Sequence, residues 1–203
     1  MFNQFQKVCK VNCVNKFLGV VQKPRAKFNV SGIIDHSYNK RSTYFHPATS
    51  GGNSNFYINY NIQIGGPNLT CSLLWYHLCQ IREDPQRRSR HLQIQMDNCT
   101  GENKNRTVFA FCGMLVHKKI YESVTLSFLI PGHTHDDIDQ MFSTWSKHFW
   151  RNNLYTLAHI PDFVIQAYTD ATRRPATYNL SWLYDFKSWM ENLNTMEQFS
   201  KQR

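Results

Sequence analysis

Ser123-Val-Thr-Leu-Ser-Phe-Leu-Ile130, then Pro131-Gly132, then His133-Thr-His-Asp-Asp-Ile-Asp-Gln-Met-Phe142, is the stretch on which the fold turns. Its first eight residues are β-rich and uncharged, which predicts a central strand. Pro131-Gly132 stops that strand. Beyond it Ile138, Met141, Phe142, Trp145 and Phe149 fall at helical spacing, predicting a helix from about His135 to Phe149. The same grammar holds one step upstream. Leu92 to Met96 reads as a short strand ending at Asp97, 97–105 as a polar loop, and Thr107 to His117 as a buried helix apolar nearly all round. Strands that alternate with helices are parallel and covered.

Further out, Leu69 to Arg82 carries Leu73, Leu74, Leu78 and Ile81 at helical spacing, with Asn68 or Thr70 as N-cap. Phe28 to Ile34 and Phe56 to Ile64 read as strands, separated by a Ser-, Asn- and Gly-rich connection over 36–55. The order is strand, strand, helix, strand, helix, strand, helix: an α/β chain with a mixed sheet and flanking helices. Residues 1–27 read as a basic N-terminal segment, 28–150 as the core, and 151–203 as a helical C-terminal extension.

Composition bounds the rest. A chain of 203 residues can bury a core without disulfides. With 41% hydrophobic residues it is no disordered tail. No apolar run is long enough to span a bilayer. No secretory h-region follows Met1. The six cysteines form no framework, and Cys9-x3-Cys13 without a second pair is a poor zinc signal. These features predict a nuclear or cytoplasmic, non-secreted protein. The 23 Lys and Arg against 14 Asp and Glu leave +9, which points to a polyanionic partner, DNA first.

The acids are unevenly placed. None precedes Asp35, and the next is Glu83. They then gather at Asp97–Glu102 and Asp136–Asp139. Ligands of open α/β sheets bind beyond the carboxyl ends of the parallel strands. There Asp97 ends one predicted strand, and His133, His135 and Asp136 to Asp139 follow the next. On the helix Asp139 lies off the Ile138/Met141/Trp145 stripe, so it is expected to turn back towards Asp97. Carboxylate oxygens with open water positions suit Mg²⁺ or Mn²⁺. Two such ions about 3.5–4 Å apart would grip a phosphodiester and activate water. Asn103, Lys104 and Arg106 are the expected phosphate donors beside them.

Plainer roles compete. Asp97 suits an Asx turn, Asp136 and Asp137 suit a helix N-terminus, and His133 and His135 suit a turn. A rival motif is His133-x-His135-x-Asp137, the first part of a metallo-β-lactamase signature, which would make a zinc hydrolase. Position 138 is Ile where that signature wants His.

Two blocks carry a resemblance. Met96-Asp-Asn-Cys-Thr-Gly-Glu-Asn-Lys-Asn105 with Phe109-Ala-Phe-Cys-Gly-Met-Leu-Val116, and Leu126-Ser-Phe-Leu through His133-Thr-His-Asp-Asp-Ile-Asp139 to Phe142, resemble a transposon-derived family of RNase H-like, DDE-type integrase or transposase domains, catalogued as a domain of unknown function. Val30-Ser-Gly-Ile-Ile-Asp-His36, Pro67-Asn-Leu-Thr70 and, more loosely, Trp182 to Trp189 extend the likeness. The resemblance implies two metals on three acids, cutting and joining DNA by in-line displacement, with Asp97 as second acid and Asp139 as third. It also requires a first strand with the first acid ahead of 28–34. Residues 1–27 hold no carboxylate, and Asp35 follows the second strand. The expectation is therefore a core lacking its first strand, truncated and weakly catalytic or inactive. The non-catalytic alternative is a nucleic-acid-binding or interaction domain.

Overall fold

The computed structural model describes residues 3–14, 27–35, 53–60, 66–83, 89–129, 137–152, 157–170, 174–180 and 182–192. Six strands form one mixed sheet: β1 (Asn3–Val14), β2 (Lys27–Asp35), β3 (Asn53–Tyr60), β4 (His91–Met96), β5 (Ser123–Phe128) and β6 (Ala176–Leu180). The strand order is β5-β4-β1-β2-β3-β6. β1, β2 and β3 form an antiparallel meander. β4 runs parallel to β1, β5 parallel to β4, and β6 parallel to β3.

Among the described residues four helices flank the sheet, α1 (Pro67–Glu83), α2 (Arg106–His117), α3 (Asp137–Arg151) and α4 (Ile160–Gln166), and residues 186–192 after β6 are also helical. α1 starts where Gly66 takes φ +89°, a left-handed turn that glycine adopts at little cost, and Pro67 fits the first helical position. Asn68 and Thr70 therefore sit inside the first turn rather than capping it. α1 and α2 cover one face. Leu69, Leu73, Leu74, Leu78 and Ile81 of α1 and Val108, Phe111 and Leu115 of α2 meet Leu92, Ile94 and Met96 of β4 and Ile33 of β2. Each such side chain contributes roughly 1.5–3 kcal/mol by leaving water.

α3 covers the opposite face. A Cβ on Gly32 of β2 would stand 2.5 Å from the Met141 methyl and 3.0 Å from the Phe142 ring. A methyl there would make the flexible end of Met141 swing aside and the Phe142 ring give by a few tenths of an ångström. Trp145 is fully buried beneath it, and the Tyr168 hydroxyl, just beyond α4, donates to the Met141 carbonyl at 2.7 Å.

Several expectations are corrected. The core does not lack a strand ahead of 28–34. β1 lies between β2 and β4 within the stretch read as a basic segment. Its faint side-chain period hid it, because a strand flanked on both sides is ordered by backbone pairing as much as by amphipathicity. The extension after 150 is not purely helical, since β6 joins the sheet beside β3. Ser123 to Ile130 is not a central strand: β5 is an edge, and its Val124, Leu126 and Phe128 are only half-buried. α2 is not buried all round, for Phe109 is 46% and Val116 38% exposed.

Candidate functional site

The carboxyl ends of β4 and β5 form the rim at which the sequence places its chemistry. The Leu129 amide bonds the Met96 carbonyl at 3.0 Å, holding the two strand exits together. Asp97 follows immediately. Its Oδ1 accepts from the Cys99 amide at 3.1 Å, which is the Asx turn, and from Asn103 Nδ2 at 2.6 Å. Asn103 is buried, and its own Oδ1 accepts from the Thr70 hydroxyl in the first turn of α1 at 3.0 Å. Thr70, Asn103 and Asp97 thus form a chain of hydrogen bonds from α1 across the loop to the strand end. Asn103, expected among the phosphate donors, is buried with both its amide atoms hydrogen-bonded inside the chain. Thr70 was not singled out as a site residue; its place in the Pro67-Asn-Leu-Thr70 helix opening was the available signal.

The loop closes into α2 through Asn105, whose Oδ1 accepts from the Val108 amide at 3.2 Å as N-cap. Asn98 Oδ1 and Asn105 Nδ2 are buried without a hydrogen-bond partner among the described residues. Lys104 and Arg106 are exposed, and Lys104 Nζ stands 5.3 Å from the Phe128 ring centre. Both stay available to an anion.

Asp139 lies in the first turn of α3 and is half-buried. Two residues on, Met141 and Phe142 ride over Gly32, which pairs with Cys9 of β1. The last β1–β4 pair is Gln6 with Gln95, so the helix begins over the part of β1 that runs past the end of β4. His133, His135 and Asp136 lie outside the described residues, and Asp137 opens α3. Among the described residues, no three His, Cys, Asp or Glu side chains gather as a metal-holding group. Asp97 nevertheless suits a hard cation in its chemistry: Oδ1 is held by neutral donors, while Oδ2 takes no hydrogen bond among the described residues. The N-terminal strand beside it, Asn3–Val14, contains no carboxylate.

Asp35 is placed elsewhere. It ends β2 opposite Phe5, which itself pairs with Ile94 in the middle of β4. Its carboxylate is fully buried against α1, 3.7 Å from His77 Nε2. Burial pushes the Tyr121 hydroxyl near it up to about 12.

The family model described as Domain of unknown function (DUF7869) matches residues 20–203. The chain belongs to this family. The DUF7869 span takes in Thr70, Asp97 and Asn103, so every side chain of the rim network lies within it, and Asp139 as well. No curated protein and no solved structure matches the chain.

Proposed function

We propose that this chain is a transposase- or integrase-like domain of RNase H-like fold that engages DNA and has lost efficient strand cleavage. The strand order carries the reading. A β1–β2–β3 antiparallel meander, with β4 and β5 added parallel to β1, agrees with the order an RNase H-like core requires. The resemblance would then make Asp97 the second acid and Asp139 the third. The acid-free β1 supports the loss of cleavage. In-line displacement between two ions needs carboxylates on both, and the strand that should supply the first acid has none. A net charge of +9, with Lys104 and Arg106 exposed at the rim, supports DNA as the partner. No described helix is long and apolar enough to cross a membrane.

A cleaving version of the same reading is favoured by the unengaged Asp97 Oδ2 at the end of parallel strands. There Asp97 and Asp139 would hold Mg²⁺ or Mn²⁺ for phosphodiester cleavage and strand transfer. The zinc-hydrolase reading, on His133, His135 and Asp137, draws no support from the described residues.

Binding of duplex DNA across a salt series, with and without Mg²⁺, tests the proposal. Wild type and Asp97→Asn should bind alike, with affinity falling steeply as salt rises. Mg²⁺-dependent nicking abolished by Asp97→Asn would replace the non-cleaving form with the catalytic one. Absence of binding even at low salt would end both.

A further inference from the structure

Among the described residues, nothing pairs with the outer side of β5, which forms an edge of the sheet. An edge strand offers a row of unpaired N–H and C=O groups, which proteins guard with lysine, proline, bulges or a covering segment. β5 reads Ser-Val-Thr-Leu-Ser-Phe, without charge or proline, and pairs with β4 through six residues without irregularity. Ser123, Thr125 and Ser127 are exposed, and Val124, Leu126 and Phe128 are only half-buried. α2 extends this apolar surface with exposed Phe109 and Val116, one helical face with Gly113 between them. The Phe109 and Phe128 rings meet edge to face at 6.1 Å, joining helix and strand into one patch. Cations flank it. Lys104 and Arg106 stand at one end, against half-buried Glu102. Exposed Lys118 and Lys119 stand at the other, where Glu122 is already engaged by Arg90 at 3.4 Å.

We propose that the β5 edge and the α2 patch dock an extended segment of another protein, which adds a strand to the sheet. The segment has a β-branched, apolar middle and acidic flanks. The bare edge supplies main-chain hydrogen bonds, Phe109 and Val116 supply apolar contact, and the cationic ends select the charge. A second copy of this chain fits poorly. Two-fold antiparallel pairing of β5 with itself brings the Lys104 end against the Lys118 and Lys119 end of the other copy. A nucleic acid would satisfy the cations and leave the apolar middle wet.

The experiment uses the full chain and two synthetic peptides with one valine–threonine core, one ending in glutamates and the other in lysines. The glutamate-ended peptide should slow hydrogen exchange at the β5 amides and bind at least about tenfold tighter than its counterpart. Phe109→Ser should weaken that binding, and Lys104→Glu combined with Lys119→Glu should reverse the preference; all three positions are exposed. Equal binding of the two peptides, or binding of neither, overturns the proposal. So does a wild-type dimer whose self-association alone protects β5. Protection of β5 by duplex DNA that the peptide does not displace overturns it too, while leaving the DNA-binding reading intact.

Discussion

Asp97 and Asp35 are both strand-end carboxylates, and their surroundings could hardly differ more. Asp97 stands at the rim, half-buried, with one oxygen held by a backbone amide and a side-chain amide and the other taking no hydrogen bond among the described residues. Asp35 is fully buried beneath α1 beside His77, at a distance that permits electrostatic contact but is long for a hydrogen bond. The antiparallel turn of β2 explains the separation. A strand running against β1 delivers its carboxyl end towards the start of β1, away from the exits of β4 and β5. A carboxylate at the rim can meet a ligand, whereas one in the core can only serve packing and charge balance. If the DDE reading holds, Asp35 is therefore badly placed to serve as its first acid.

That contrast sets an order of expected effects. Asp35→Ala removes a buried carboxylate 3.7 Å from His77 Nε2 and should cost about 3 kcal/mol in a denaturant titration, while Asp35→Leu with His77→Leu should recover much of it. A negligible loss would mean the pair is not electrostatic. On the other face, Gly32→Ala pushes a methyl into Met141 and Phe142 and should cost about 2 kcal/mol by thermal unfolding. At the rim, Asn103→Ala leaves the Thr70 hydroxyl and Asp97 Oδ1 short of partners, for about 1–2 kcal/mol. Asp97→Asn should cost less than about 1 kcal/mol, because its site is partly open to water. If Asp97→Asn proved as costly as Asp35→Ala, the rim carboxylate would be structural.

The buried side also has a pH signature. Burial pushes the Cys112 thiol from the ordinary 9.0 up to about 12 and raises Cys71 as well. The folded pKa lies above the unfolded one, so this contribution is whole below about pH 9 and is lost as pH rises towards 12. Unfolding midpoints should fall over that range. At neutral pH an alkylating reagent should modify exposed Cys79 and Cys99 and spare Cys71 and Cys112. Equal modification of all four would mean that the α1–α2 layer opens readily.

Strong periodicity was legible and weak periodicity was not. α1, α3 and β4 follow from apolar spacing and from the Pro and Gly residues that bound them. β1 escaped because the alternation of Cys9, Val11 and Cys13 with Lys10 and Asn12 is broken at the register shift between Gln6 and Cys9, although its pairing partners on both sides fix it. β5 read as central because its composition is β-rich, yet nothing local to six residues says whether a neighbour lies beyond them. At the site, Asp97, Lys104 and Arg106 were legible as polar residues between a strand and a helix. The role of Asn103 was not, since its partners come from Thr70, far back in the chain, and from Asp97 across a tight loop.

The sequence alone determined the alternation of strands and helices, the net positive charge, the clustering of acids in the second half and their absence from the first 34 residues. These are properties of local spacing and composition. Only the tertiary structure decided that residues 3–14 sit beside β4, that Asp35 turns inward while Asp97 stays at the rim, and that β5 is the edge strand of the described sheet. Strand direction and neighbour identity are set by backbone pairing between segments distant in the chain, and side-chain patterns within one segment do not encode them.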